Sequence, residues 1–398
     1  MRAPKGGGIA LPLAITFAVQ AMVALAIYGA PVMAPVAAPA LGVSASAVGY
    51  YIAAAYFGSM LSSAVAGGWL ARFGPIRISQ IGLMLCLAGL LLSASAWVPL
   101  VLLGGFVVGL GYGPATPASS VILVHAAPRE IFSLVFSIKQ TGVPAGGVLA
   151  GLLVPMLVLS LGWQWGAAVI GVACLALALA IQPARALYDT ELKPDARIAL
   201  ASAFAPVAMV LRVPALRVMC ISSFVYGGVQ IAMVTYLVSF VIEDFGLSLV
   251  AAGALMSASQ VASVVGRIGW GLLADRALGR RVVLGILGIG MGLSALASLA
   301  ASPAWPAWLL VAYASVFGAT AVGWNGVFLA EVARIAPEGR TSEATGGCLF
   351  FTFLGVVLAP LLFNGVFTLT GSYPTSFAVF AVPALWVGVW MLARMPAR

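Results

Sequence analysis

Twelve apolar runs, separated by short turn or charge signals, divide the chain. They fall near 11–35, 47–71, 78–96, 99–125, 132–159 and 165–181, then near 217–242, 248–273, 282–301, 306–332, 344–370 and 374–393. A helix needs about 20 apolar residues to cross a hydrocarbon core, so each run reads as one span. Residues 182–197 form the one extended polar stretch, carrying Arg185, Asp189, Glu191, Lys193, Asp195 and Arg197. The segment 198–216 is apolar, but Pro206 and Pro214 interrupt it, so it reads as interfacial. The pattern predicts an all-α membrane protein of twelve transmembrane helices in two six-helix bundles. Their limits are 1–181 and 217–398, with a cytoplasmic linker at 182–216.

Composition removes the soluble alternatives. Of 398 residues, 63% are hydrophobic and 7% charged, and the mean hydropathy is +1.14. Soluble domains carry roughly a quarter charged residues, so lipid must solvate most of this surface. Twelve spans leave no length for a soluble catalytic domain, and the first run is too long, without a small-residue cleavage site, for a removable signal peptide. The net charge of +9 suggests nucleic acid, yet the basic residues form no dense or aromatic-interleaved patch. Cys86, Cys174, Cys220 and Cys348 lie far apart in apolar runs and read as packing residues. No His/Cys/Asp/Glu cluster falls at metal spacing and no nucleophile has a base nearby in sequence, so neither an enzyme nor a cofactor is expected.

Charge orients the spans. With the N-terminus inside, the cytoplasmic set is Arg2 and Lys5, Arg72 and Arg77, Arg129, the five cations from Arg185 to Arg217, Arg276, Arg280 and Arg281, Arg334 and Arg340, and Arg394 and Arg398. Of the 19 Lys and Arg residues, only Lys139 and Arg267 are left over, and both fall inside runs. The positive-inside bias therefore places both termini and the linker in the cytoplasm, the arrangement of a multi-pass inner-membrane protein. Trp97, Trp163, Trp165, Trp305 and Trp308 then mark the outer interface.

The two halves repeat each other. Run two ends Gly67-Gly68-Trp69-Leu70-Ala71-Arg72-Phe73-Gly74-Pro75-Ile76-Arg77, and run eight ends Gly271-Leu272-Leu273-Ala274-Asp275-Arg276-Ala277-Leu278-Gly279-Arg280-Arg281. Gly67 and Gly271 correspond at an offset of 204, while Ala127-Pro128-Arg129 and Ala336-Pro337-Glu338 correspond at 209. Two related six-helix halves are the layout of a repeat-built transporter. The pattern G-x-x-x-D-R-x-G-R-R at Gly271–Arg281 resembles the signature of the major facilitator superfamily. The resemblance covers essentially the whole chain, and the earlier copy departs from it at Ala71, where the aspartate belongs. It implies alternating access by two bundles about a midplane site. It also implies a gating set of Gly271, Asp275, Arg276, Gly279, Arg280 and Arg281, with Arg72 from the earlier copy. Gly271 would allow close helix approach, Asp275 would cap a neighbouring helix or pair with arginine, and the arginines would pair with Glu331, Glu338 or Glu343. Run four carries Gly105, Gly109 and Gly113 at spacing four, and run five carries Gly142-Val143-Pro144-Ala145-Gly146-Gly147, both predicting tight helix contact. The latter resembles the family's antiporter motif imperfectly, because Val143 separates Gly from Pro.

Charge inside a membrane costs several kcal/mol unless paired or hydrated, so Lys139 and Arg267 are the candidate functional groups. Arg267 lies eight residues before Asp275, roughly 12 Å along the helix. An arginine there looks like the anion-contacting arginine of nitrate, oxalate and monocarboxylate carriers of the superfamily. Its planar fork binds a carboxylate bidentately. All ten acids sit in loops or at helix ends, which disfavours a cationic substrate. The lone His125 reads as a helix-end residue. In the family, helices one, four, seven and ten line the cavity, which singles out Gln20, Gln230, Trp324 and Asn325. The reading is a monomeric secondary transporter for a small organic anion such as a carboxylate, coupled to a proton or counter-anion. The alternative is efflux of a multidrug or amphipathic type.

Overall fold

The computed structural model describes residues 8–126, 131–190, 192–195, 205–338 and 340–393. Of the expected cytoplasmic cations, Arg2, Lys5, Arg129, Arg197, Arg394 and Arg398 lie outside the described residues, as does Glu191, and so does the side chain of His125.

The described residues are helical, with no strand. The elements are α1 (Ala10–Ala40), α2 (Val48–Phe73), α3 (Pro75–Ser93), α4 (Val98–Tyr112), α5 (Ala115–Ala126), α6 (Phe132–Gln140), α7 (Gly142–Leu161), α8 (Trp163–Ala180), the single turn α9 (Arg185–Tyr188) and α10 (Ala205–Arg212). There follow α11 (Pro214–Glu243), α12 (Leu249–Leu273), α13 (Arg280–Ala297), α14 (Ala307–Ala321), α15 (Asn325–Ile335), α16 (Thr341–Thr370) and α17 (Tyr373–Ala393). Eleven stretches are long and apolar enough to cross a membrane, and the remaining expected span is the 26-residue α2, diluted by serines, tyrosines and glycines.

Among the described residues, three spans are each made of two α-helices, because the backbone breaks inside them. Span four breaks between α4 and α5 at Gly113 and Pro114. Pro117 has no N–H for the carbonyl of Gly113 four residues earlier, and the Ser63 hydroxyl, at 2.9 Å, donates to it instead. Span five breaks at Thr141, and Pro144 likewise withholds an N–H from Gln140. Span ten breaks at Val322–Trp324 without a proline. There the Trp270 indole donates to Ala319 O at 3.0 Å, occupying a helix acceptor from the side. Broken helices persist at membrane depth where protein groups satisfy the freed backbone.

Two compact units organise these helices: Met1–Gly42 with Ala54–Ser202, and Val43–Ala53 with Ala203–Arg398. In the first, α1 packs on α7 and α3 on α8; in the second, α11 packs on α16 and α13 on α17. These are equivalent pairings, spans one–five and three–six against seven–eleven and nine–twelve. The repeat reaches single contacts. A Cβ on Gly109 would lie 1.7 Å from Ala55 O, and one on Gly318 would lie 2.2 Å from Ser259 O. Ala55 and Ser259 differ by 204 and Gly109 and Gly318 by 209, the offsets of the sequence repeat. Gly146 on Ala21 O (2.4 Å) and Gly355 on Phe224 O (2.0 Å) form another such pair of crossings. The glycines of spans four and five thus serve the close approach expected of them at Gly109, Gly113, Gly142 and Gly146.

Other expectations need correction. Trp163 is buried, facing its own unit and not the interface, whereas Trp97, Trp165 and Trp308 are well exposed. The cysteines, distant in sequence, meet pairwise: Cys220 Sγ and Cys348 Sγ are 3.7 Å apart, and the Cys86 thiol contacts that of Cys174. All four are free thiols.

The linker is docked rather than loose. Asp189, its side chain 2% exposed, accepts from Ile76 N at 2.8 Å and Arg77 N at 3.0 Å and pairs with Arg185 at 3.2 Å. It thereby caps α3, whose first orphan N–H groups favour an anion. Gly74, at φ +87°, makes room for that carboxylate, and Lys193 N donates to Ala71 O at 2.7 Å. A linker acid therefore sits beside the copy of the signature that lacks its own.

Candidate functional site

In the second unit, the residues singled out on helices seven, eight and ten converge on the break in span ten. Val322 caps the C-terminus of α14, so its carbonyl lies outside the helix ladder. The Arg267 Nε–H on α12 donates to it at 3.1 Å, and the Asn325 amide reaches it at 3.5 Å. Gln230 on α11 closes the other side: its Oε1 accepts from Trp324 Nε1 at 3.0 Å and Asn325 Nδ2 at 3.1 Å. Trp324 is fully buried and packs edge-on against Tyr226 and Phe328. Tyr226 is fixed in turn by donating to Leu284 O at 2.8 Å. Arg267, Gln230, Trp324 and Asn325 therefore form one network, held by aromatic packing and a broken helix.

The repeat shows what is particular about Arg267. Subtracting the offsets of 204 and 209 maps Arg267 and Val322 onto Ser63 and Gly113. Ser63 also donates to its carbonyl, at 2.9 Å. Both halves thus satisfy the carbonyl at the break from the same position. One uses a neutral hydroxyl; the other installs a guanidinium.

The first unit carries the other intramembrane cation. Lys139 lies in the last turn of α6 beside the break at Thr141, is 1% exposed, and donates to Gln140 Oε1 at 3.0 Å. Gln20 on α1 lies against Gly142, just past that break, and its Oε1 accepts from the Thr116 hydroxyl at 3.2 Å. Its Nε2 is buried without a hydrogen-bond partner among the described residues. In the same unit the buried Tyr56 hydroxyl bonds with those of Tyr28 and Tyr112. In the second unit Gln260, two turns before Arg267, has a buried Oε1 that is likewise unpartnered.

Sequence reasoning missed Thr116, Tyr226, Trp270 and the carbonyl of Val322. A glycine followed by Trp324 and Asn325 in mid-run was the one available signal for the break. The backbone acceptor has no side-chain signature at all.

At the signature, some contacts differ from expectation and one matches it. Gly271 meets nothing within 4 Å of the Cβ it lacks, so close approach is not its role here. Asp275, largely exposed, pairs with an arginine as expected: Arg280, the first residue of α13, at 3.0 Å and within its own motif. Glu331 is engaged by Arg334 at 2.6 Å and Glu343 by Arg340, and among the described residues no ion pair joins either to Arg276, Arg280 or Arg281. Gly279 (φ +81°) and Gly74 (φ +87°) occupy the same turn in the two copies, where an L side chain would be strained. Arg72 lies over the Phe73 ring, 5.4 Å from its centroid.

A helical protein with eleven or more apolar spans, repeated halves and broken spans bearing buried polar groups has the design of a membrane carrier. The profile of the Major Facilitator Superfamily matches residues 16–346 and again 219–398, and the chain belongs to that family. Among curated proteins, a probable nitrate/nitrite transporter, NarK2 of Mycobacterium tuberculosis (strain H37Rv), is 33% identical over 145 residues, 36% of each chain. The match therefore spans about a third of that relative. Among solved structures, a peptide transporter, POT, in complex with sulfate superposes with TM-score 0.76 at 17% identity, covering 98% of this chain and 95% of the other. The nucleoside transporter NupG superposes with TM-score 0.78 at 14% identity, covering 96% and 100%. The fold is the one these transporters share. The family and the structures on which the chain superposes are transporters.

Proposed function

We propose that the protein carries a small organic anion, a carboxylate, across a cell inner membrane as a monomer, with a proton or counter-anion coupled to the cycle. The observation that carries this reading is Arg267, a guanidinium inside a span and anchored on a backbone carbonyl. Its repeat counterpart is a neutral serine, so the fold does not need the charge. Gln230, Trp324 and Asn325 are the neighbouring contacts, and Lys139 with Gln20 is the cation-bearing polar group of the other unit. The described acids all lie at helix ends or in the linker, which leaves a cationic substrate no mid-span partner. The nitrate/nitrite relative, a carrier of anions by its name, supports the same sign of charge. Uptake into proteoliposomes, with a panel of carboxylates, amines and sugars, tests the class. Transport of amines but not carboxylates would favour amphipathic efflux instead.

The orientation is open to a separate check. Cysteine placed at the exposed Asp195 should react with an impermeant reagent only after permeabilisation, and one at Ala304 in intact cells. The native thiols are buried, so background labelling is low. Asp189 is the wrong reporter for the linker, because it caps α3. Reaction at position 195 from outside would invert the topology.

The signature is proposed to bias the two access states through Asp275 and Arg280. An exposed pair contributes up to about 1 kcal/mol, so Asp275→Asn should shift the inward–outward balance several-fold without loss of protein. Unchanged accessibility of cytoplasmic cysteines, together with unchanged kinetics, would remove the role.

A further inference from the structure

At the corner where α10 meets α11, a groove of about 190 Å³ opens on the surface of the second unit. It is lined by Leu211, Arg217, Cys220, Ile221, Phe224 and Phe351. Four of these, at 217, 220, 221 and 224, follow the i, i+3, i+4, i+7 spacing of one helix face. Along that face the chemistry changes in order. Arg217 stands three residues past Pro214, in the first turn of the span, and the next positions on this face, Cys220, Ile221 and Phe224, are apolar over about 10 Å of helix. A cation at headgroup depth followed by an apolar track is the complement of a phospholipid.

Charge decides which phospholipid. Arg217 and Arg212 are both exposed, and neither has a hydrogen-bond or ion-pair partner among the described residues. Arg212 lines a second cavity of about 360 Å³ on the other flank of the corner, beside Pro337 and Arg340. Among the described residues no acid lines the groove of Arg217, so a choline or ethanolamine there would find no anion, whereas a phosphate with net charge finds the Arg217 guanidinium, with Arg212 adding positive charge from the other flank. The corner is closely packed. Gly347 admits the backbone of α10 against α16, where a Cβ would lie 2.5 Å from Pro206 O.

We infer that this corner is a specific site for an anionic phospholipid, its phosphate on Arg217, one acyl chain along the Cys220–Phe224 face, and Arg212 adding charge from the other flank. The site is distinct from the Arg267 network and does not depend on the substrate. It would tie the linker helix α10 to spans seven and eleven through a bound lipid.

The test is native mass spectrometry of the purified full-length protein in detergent with equimolar phosphatidylglycerol and phosphatidylcholine. One phosphatidylglycerol per chain should be retained preferentially. Arg217→Gln and Arg212→Gln should each lower its retention about five-fold. Ile221→Trp, which fills the groove and keeps both charges, should displace the lipid by shape alone, so one poorly folding variant leaves the other informative. Arg276→Gln, which removes a signature arginine of equal charge, should leave retention unchanged. Equal retention of the two lipids, or unchanged retention in both Arg217→Gln and Ile221→Trp, would overturn the site. An equal loss in Arg276→Gln would overturn it too, as diffuse attraction to net charge.

Discussion

Arg267→Ser should lose transport while the protein still inserts and folds. The substitution copies the opposite half, where Ser63 satisfies the carbonyl of Gly113 at 2.9 Å. A serine at 267 is therefore suited to the carbonyl of Val322, and the variant removes charge with less damage to the break than alanine would cause. A charge-assisted contact contributes about 1.5–3 kcal/mol, which corresponds to roughly ten- to a hundredfold in affinity. Arg267→Lys keeps the charge but not the planar fork, and should fall between the parent and Arg267→Ser. Lys139→Ala should weaken binding by less than Arg267→Ser, because a compact ammonium offers no fork. The measurement is anion affinity of folded, purified variants, with neutral analogues as controls. If Arg267→Ser binds the transported anion as tightly as the parent, the guanidinium is structural and the anion reading fails.

Gly109→Ala should destabilise the first unit more than any other single-methyl addition there. The new Cβ would fall 1.7 Å from Ala55 O and 2.6 Å from Ala55 C, so backbone and not a movable side chain stands in its way. Helices α2 and α4 would have to separate. Overpacking a core costs about 1–3 kcal/mol and sometimes more, and this site belongs at the upper end. The melting temperature in detergent should drop by roughly 5–10 °C. Gly271→Ala is the matched control: that glycine meets nothing within 4 Å, and its variant should melt with the parent. Equal melting of all three proteins would mean that the crossing at Ala55 is not a close contact.

Much of the architecture could be read from the chain, because lipid imposes a simple rule. A spanning segment must be long, apolar and helical, so spans, turns and the central linker show as composition. The sequence alone determined an all-helical membrane protein with repeated halves, the family signature at Gly271–Arg281, and the two cations stranded in apolar runs. Those features are local or follow a fixed offset, and each leaves its mark on residue identity. What joined the cations to anything was decided only by the tertiary structure. The acceptor of Arg267 is a main-chain oxygen at Val322, freed where Trp270 intrudes on the tenth span, and a carbonyl is the same in every residue. Asp189 reads in sequence as one more linker charge, and only the fold brings it to the N–H groups of α3, 113 residues away from Ile76. Gly271 and Gly109 look alike on paper; three-dimensional packing leaves one in open space and presses the other against a backbone. Partner choice across long sequence separations depends on where helices cross, and crossings are set by the sum of many weak packing contacts that no single residue encodes.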